Sequence, residues 1–188
     1  MREKNMKAIL LAAGSSRRFG GNKLLEPFRG KPLYQHTLSL IQNLYWEEII
    51  LVTQYEEICK NEQDKVTIVK NPHPERGIAG SIGLGVMAAG QGFDLMFFVC
   101  DQPYLKQETV EGMREKFLKN PNRIICAESE KRTGNPNIFP ASYYEELLGL
   151  KGDKGGKRII KAHPDQVTYY QVDETELKDF DYKIDFNG

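Results

Sequence analysis

The fold of this chain is decided at residues 7–23, which read KAILLAAGSSRRFGGNK. The first part, Lys7–Ala12, is a short and almost wholly apolar run, which is typical of a β-strand buried on both faces. Glycine, serine and basic residues follow it immediately. Because ligands of open α/β sheets bind beyond the carboxyl ends of the strands, this stretch predicts a strand that leads directly into a binding loop.

The rest of the chain alternates between strand-like and helix-like segments. The predicted strands are Lys7–Ala12, Glu48–Thr53, Val66–Val69, Asp94–Cys100, Arg123–Ala127, Asn137–Phe139, Gln166–Val172 and Tyr182–Phe186. The predicted helices are Pro32–Leu44, Tyr55–Gln63, Ser81–Ala89, Gln107–Leu118, Tyr143–Leu148 and Gly156–Ala162. Since the strongest strands are solidly apolar, the pattern predicts one α/β domain over residues 1–188, with a mostly parallel sheet covered on both faces.

Composition excludes several classes of function. The 26 basic and 26 acidic residues balance, which disfavours non-specific binding to nucleic acid. The longest apolar runs, Ala8–Ala13 and Leu95–Cys100, are far shorter than the roughly 18 residues of a membrane span. The three cysteines, Cys59, Cys100 and Cys126, include no Cys-x-x-Cys pair, which disfavours a disulfide framework or zinc site and indicates a cytoplasmic protein.

The loop after the first predicted strand has the composition of a phosphate site. Its glycines let backbone N–H groups turn toward an anion, and Arg17, Arg18 and Lys23 can neutralise phosphate charge. It is neither a Walker A loop nor a Gly-x-Gly-x-x-Gly dinucleotide loop. On residue types alone, a flexible surface loop with solvated charges is an equally good interpretation.

Asp101 stands directly after the most apolar predicted strand. A carboxylate there must be solvated, paired or bound to a metal, because burying it alone is costly. A helix cap or salt bridge would satisfy it, and so would Mg²⁺, which binds between carboxylates and phosphates. Cys100 lies inside the strand pattern and is interpreted as a core residue rather than a nucleophile.

Several segments together resemble the molybdenum cofactor nucleotidyltransferases. The loop from Leu11 to Gly20 is followed by Lys23-Leu24-Leu25 and Gly30-Lys31-Pro32-Leu33, as in their signature. The other segments that agree are Gly77–Gly85 with Ser81, Cys100-Asp101-Gln102-Pro103, Gly134-Asn135-Pro136-x-x-Phe139 and Gly152-Asp153-x-Gly155-Gly156. The resemblance implies a Rossmann-like three-layer α/β fold of the nucleotidyltransferase type with a mixed sheet.

The resemblance also implies roles for particular residues. Lys23, Arg18 and Asp101 would be catalytic, and Asp101 and Asp185 would bind Mg²⁺. Nucleotide-binding residues would be Leu11, Ala12, Ala13, Gly14, Ser15, Ser16, Arg17, Gly20, Lys23, Asn71, Gly80 and Ser81. The pterin side would be lined by Gly134, Asn135, Pro136, Gly152, Asp153 and Gly155.

The implied reaction is transfer of CMP from CTP to the terminal phosphate of molybdopterin, with release of pyrophosphate. Family members that use GTP usually read Leu-Ala-Gly-Gly where this chain reads Leu11-Ala12-Ala13-Gly14, so the resemblance favours CTP. Two alternatives remain open, namely a transferase with GTP or a sugar or polyol phosphate acceptor, and a non-catalytic protein that delivers the cofactor. An apo-molybdoenzyme that receives the product is a further expected partner.

Overall fold

The computed structural model describes residues 5–14 and 19–187. Its strands are β1 (Met6–Ala12), β2 (Pro27–Phe28), β3 (Lys31–Pro32), β4 (Ile49–Thr53), β5 (Thr67–Lys70), β6 (Asp94–Val99), β7 (Ile124–Glu128), β8 (Thr133–Phe139) and β9 (Val167–Gln171). Its α-helices are α1 (Leu33–Gln42), α2 (Glu56–Glu62), α3 (Gly77–Ala89), α4 (Gln107–Lys119), α5 (Tyr144–Leu148) and α6 (Lys157–Ala162). Short 3₁₀ turns connect several of them.

Within the described residues, seven strands form one sheet in the order β5-β4-β1-β6-β8-β7-β9. β8 runs antiparallel to both its neighbours, and the other pairings are parallel. This confirms the predicted mostly parallel, mixed sheet. The chain moves outward from β1 to β4 and β5, and then returns to place β6 on the other side of β1. The strand order therefore reverses between β1 and β6, where a crevice for ligands is expected.

Helices cover both faces of the sheet, as the apolar strands predict. Side chains alternate along β1, so that Ala8 and Leu10 belong to one apolar core and Ile9 belongs to the other. The first core is closed by α1, α2 and α4, and the second by α3, α5 and α6. These two cores give the three layers of a Rossmann-like fold.

The C-terminal segment differs from its prediction. Tyr182–Phe186 was expected to be a strand, but Lys183–Asn187 forms a 3₁₀ turn. The Asp185 carboxylate accepts the backbone N–H groups of Asp181 and Tyr182, which favours a turn over an extended chain. Among the described residues, no helix is both long and apolar enough to cross a membrane.

Candidate active site

The loop that follows β1 is held from the β4 side. Thr53 Oγ1 donates to the carbonyl of Ala12 at 3.0 Å, and Gln54 Nε2 donates to the carbonyl of Ala13 at 2.9 Å. The Tyr55 hydroxyl donates to the carbonyl of Gly14 at 2.6 Å. Because C=O and N–H point in opposite directions across a trans peptide, the N–H groups of Ala13 and Gly14, which follow the first two of these carbonyls, point away from β4. The start of the loop is thus arranged to offer donors to an anion.

Lys23 lies at the centre of the charged groups in the crevice. It begins a 3₁₀ turn that Asn22 caps by accepting the N–H of Leu24. Its Nζ lies 2.7 Å from Asp101 Oδ2, beyond β6, and 2.8 Å from Asp181 Oδ1 in the C-terminal segment. Burial by itself lowers the pKa of Lys23, but the two carboxylates outweigh it and the net pKa is raised. Lys23 therefore keeps its charge while its side chain is largely buried.

The C-terminal segment places its acidic residues beside the end of β6. The N–H of Phe180 donates to the carbonyl of Asp101 at 2.9 Å, and the Phe180 ring packs edge-on against Phe28 at 4.8 Å between centroids. Gln102 Nε2 donates to Asp179 at 2.8 Å. Burial, together with the nearby Asp101 charge, raises the pKa of Asp179 above its usual range. Packing of Phe180 thus brings Asp179 and Asp181 into the crevice.

A cavity of about 420 Å³ lies beside this cluster, and we call it the Lys23 cavity. Residues predicted to bind nucleotide or metal that line it are Leu11, Ala13, Gly14, Lys23, Ser81 and Asp101. The structure therefore brings the loop after β1, the start of α3 and the residues that follow β6 together at one edge of the sheet. Ser15, Ser16, Arg17 and Arg18 were also predicted to bind here and lie outside the described residues.

Asp101 lines the cavity and has one unpaired carboxylate oxygen. Its Oδ2 binds Lys23, whereas its Oδ1 is buried and has no hydrogen-bond partner among the described residues. An unpaired buried carboxylate oxygen is costly and fits a divalent cation that binds there with the substrate. No group of three or more His, Cys, Asp or Glu side chains in the described ranges is arranged to hold a metal. Such a set is not required for Mg²⁺, which is usually held by one or two carboxylates plus substrate phosphates.

The resemblance implies that Asp185 binds the metal, but in the structure its carboxylate is occupied by other groups. Its Oδ2 accepts the N–H groups of Asp181 and Tyr182 at 2.9 and 2.8 Å, and its Oδ1 lies 3.4 Å from Lys178 Nζ. Burial raises its pKa, but these donors outweigh burial and lower the net value. Asp185 therefore stabilises the turn, and Asp181 is the acidic residue of this segment that lies next to Lys23.

A second cavity, of about 750 Å³, adjoins the first, and we call it the Asn137 cavity. Leu11, Ile78 and Asp153 line both cavities. Residues predicted for the pterin side that line it are Gly134, Asn135, Asp153 and Gly155. The first two lie on β8, whose reversed direction puts its beginning at the carboxyl edge of the parallel strands. The remaining two lie in the loop before α6.

Other predicted residues lie behind these cavities. Ala12 is buried in the sheet. Asn71 donates to Ser81 Oγ at 3.0 Å, and with Gly80 it lines a groove on the outer side of α3. The carbonyl of Gly152 accepts the N–H of Ala79 at 3.1 Å, which docks the 152–155 loop onto α3.

Gly20 and Pro136 are also not among the residues that line the two cavities. Gly20 has a φ of +78° in the turn before Lys23. Pro136 is buried within β8, in the part that is unpaired where the register with β7 shifts. Both residues are placed to shape the backbone around the site.

Residues 8–167 match the model of the family described as MobA-like NTP transferase domain. The chain belongs to this family. It is 34% identical over 182 residues to a protein of Thermococcus sibiricus called probable molybdenum cofactor guanylyltransferase, covering 92% of this chain and 88% of that one. This MobA-like chain is thus a nucleotidyltransferase, as its motifs predict.

The fold also matches solved structures. The crystal structure of Rv0371c from Mycobacterium tuberculosis superposes with a TM-score of 0.83 at 22% identity, covering 98% of this chain and 96% of that one. A manganese complex of the same protein superposes with a TM-score of 0.76 at 20% identity, covering 90% and 89%. At these identities the likeness establishes the nucleotidyltransferase fold of this MobA-like chain.

Sequence reasoning missed several residues of the site. Gln54 and Tyr55 hold the loop after β1, yet they follow a different strand and carry no motif. Asp179 and Asp181 flank Phe180 in a segment with no helical or strand periodicity. The sequence does show an aromatic residue between two acidic ones, and burial of the aromatic ring would place both carboxylates close to the core.

Proposed function

We propose that this chain transfers a nucleoside monophosphate from a nucleoside triphosphate to the terminal phosphate of molybdopterin and releases pyrophosphate. An oxygen of the acceptor phosphate forms a bond to the α-phosphorus, while the bond from that phosphorus to the bridging oxygen breaks and its electrons leave with pyrophosphate. A phosphate monoester is already anionic near neutral pH, since its second pKa is about 6. The proposal therefore needs no general base.

The observation that carries this proposal is the placement of Lys23, which lines the Lys23 cavity, between the carboxylates of Asp101 and Asp181, with Asp101 Oδ1 left unpaired. The reaction brings two anions together, so it depends on positioning and on neutralisation of charge at the α-phosphate. Lys23 supplies a fixed positive charge. Asp101 and Asp181 would hold Mg²⁺, which supplies charge neutralisation at the phosphates when bound.

The loop after β1 would hold the triphosphate through its backbone N–H groups, since its carbonyls are occupied by Thr53, Gln54 and Tyr55. The acceptor would approach from the Asn137 cavity, which adjoins the Lys23 cavity at Asp153. Two anionic substrates could then meet where the two cavities join, so the geometry supports a two-substrate transfer.

For the base we propose cytosine. Ala13 lines the Lys23 cavity, and its side chain narrows the space that a glycine would leave for a purine. Guanine is the second candidate, because the Thermococcus sibiricus relative is called a guanylyltransferase. Ala13→Gly tests this choice, since it is expected to raise the kcat/KM for GTP relative to CTP. An unchanged ratio would contradict the role of Ala13.

The test of the reaction is pyrophosphate release with each nucleoside triphosphate, Mg²⁺ and purified molybdopterin, against sugar and polyol phosphates as acceptors. Asp101→Ala is expected to lower the rate by about 10³-fold or more while the protein still folds. Asp64→Asn, at an exposed position far from the cluster in sequence, is the control. An Asp101→Ala variant within tenfold of the unaltered protein would remove the metal role. Binding of molybdopterin without any pyrophosphate release would favour a delivery protein.

A further inference from the structure

Asn137, which lines the Asn137 cavity, has a buried polar atom without a hydrogen-bond partner among the described residues. Asn137 lies on β8 and is 7% exposed. Its Nδ2 donates to Asn135 Oδ1 at 3.0 Å, which fixes the orientation of the amide. Its Oδ1 is buried and accepts no hydrogen bond from any residue that the structure describes. Native proteins rarely keep such an atom unsatisfied, because its desolvation is not compensated.

The position of Asn137 makes this atom more than a packing defect. Asn137 pairs with Phe97 on one side and Cys126 on the other, so it lies in the middle of the sheet on the face of the second core. The next residue, Ile138, faces the first core. An apolar residue at Asn137 would suit its neighbours better, so the amide is retained at a cost in stability.

The remainder of the cavity indicates what would satisfy the amide oxygen. Apolar side chains line part of it, including Ile78, Ile82 and Phe97. Basic residues, including Arg132, Lys157 and Arg158, also line it. An amide oxygen only accepts, so its partner must be a hydrogen-bond donor rather than a phosphate oxygen. The combination fits a flat ring that carries N–H donors and is linked to an anionic group.

We propose that Asn137 is a specificity-determining residue whose Oδ1 accepts a hydrogen bond from an N–H group on the heterocycle of the acceptor substrate. This inference rests on the proposed function and names the part of the acceptor that is recognised. The 2-amino-4-oxopyrimidine edge of a pterin presents such N–H donors. Asn135 acts as a positioning residue, since its Oδ1 holds the Asn137 amide. The basic residues of the cavity would bind the phosphate.

The test compares two phosphate-free ligands by fluorescence titration of the full chain. One is pterin, which carries ring N–H donors, and the other is 1,3-dimethyllumazine, whose pyrimidine ring carries none. The unaltered protein is expected to bind pterin about 5- to 30-fold more tightly. Asn137→Leu, which has nearly the same shape, is expected to reduce this preference to less than about twofold and to melt no lower than the unaltered protein.

A preference for pterin that persists in Asn137→Leu would overturn the inference, as would an unaltered protein that shows no preference. If Asn137→Leu does not fold, Asn137→Thr replaces it in the test, because it keeps a small polar side chain on the strand while removing the amide oxygen. It is expected to lose the preference for pterin in the same way. Ile138→Val, on the opposite face of β8, is the matched control and should keep the preference.

The binding test and the test of the transfer reaction can fail separately. Absence of pyrophosphate release with molybdopterin would refute the proposed function and leave the ring preference intact. Conversely, pyrophosphate release with equal acceptor KM values for the unaltered protein and Asn137→Leu would refute only the inference.

Discussion

Gly77 begins α3 in a conformation that is essentially restricted to glycine, with φ +73° and ψ −170°. A Cβ on this residue would lie 2.2 Å from Asp153 Oδ1 and 2.8 Å from the backbone of Gly152. A substitution here must therefore displace the 152–155 loop. Since Asp153 lines both cavities, we predict that Gly77→Ala disturbs stability and both substrate sites together.

A matched control separates the backbone conformation from the close approach. Gly90, at the end of α3, has φ +74° and ψ 170°, and a Cβ there would meet nothing within 4 Å. Gly90→Ala is expected to cost about 1–3 kcal/mol for the conformation alone. Gly77→Ala should cost about 1–3 kcal/mol more for the forced contact. At about 2–4 °C per kcal/mol, Gly77→Ala should melt about 2–12 °C below Gly90→Ala.

The assay is thermal unfolding of both variants in one buffer, followed by KM measurements for nucleotide and acceptor. Gly77→Ala should raise both KM values, because the loop that it displaces borders both cavities. Gly90→Ala should leave them unchanged. Equal melting temperatures for the two variants would refute the reasoning, since they would show that the approach of the loop to α3 carries no energetic weight.

Three further predictions concern individual charged and sulfur groups. Asp181→Asn should lower kcat for pyrophosphate release by about 10²-fold, whereas Asp185→Asn should lower it by less than tenfold. Equal losses of kcat in the two variants would contradict the roles assigned to these residues. Folding raises the pKa of Lys23, so its stabilisation relative to Lys23→Met should be constant between neutral pH and about pH 10 and disappear as pH rises through the raised value. Urea unfolding measures this difference, and a difference that grows above that pH would contradict the pairing. Burial raises the pKa of the Cys100 thiol, whereas Cys59 is only half-buried. A disulfide reagent should therefore modify Cys59 first. Rapid modification of Cys100 in the folded protein would contradict its burial.

The sequence predicted the strands of the central sheet because their apolar runs need burial on both faces. The bounds of two predicted strands, Lys7–Ala12 and Asp94–Cys100, differ by no more than two residues from those of β1 and β6. Lys23 and Asp101 both follow predicted strands, and ligands of such sheets bind at the carboxyl ends of the strands, so both residues are candidates for one site. In the structure the two side chains lie 2.7 Å apart. These features depend on local pattern and on general sheet topology, so no distant contact had to be known.

The C-terminal segment could not be predicted in the same way. Its path depends on Phe180 packing against Phe28, and on Gln102 binding Asp179, and these contacts join parts of the chain far apart in sequence. The apolar residues of Tyr182–Phe186 suggested a strand, but the Asp185 carboxylate caps a turn there. The role of Asp181 follows only once this tertiary arrangement is known.

The reversed direction of β8 has an evolutionary consequence. Its beginning reaches the same rim as the ends of its neighbours, so the hairpin between β7 and β8 places Arg132, Gly134 and Asn135 on the Asn137 cavity, where we propose that the acceptor binds. Hairpin tips tolerate insertion and replacement far better than the strands behind them. Relatives of this enzyme can therefore acquire new acceptors by exchanging one surface turn, while the parts that handle the triphosphate stay as they are.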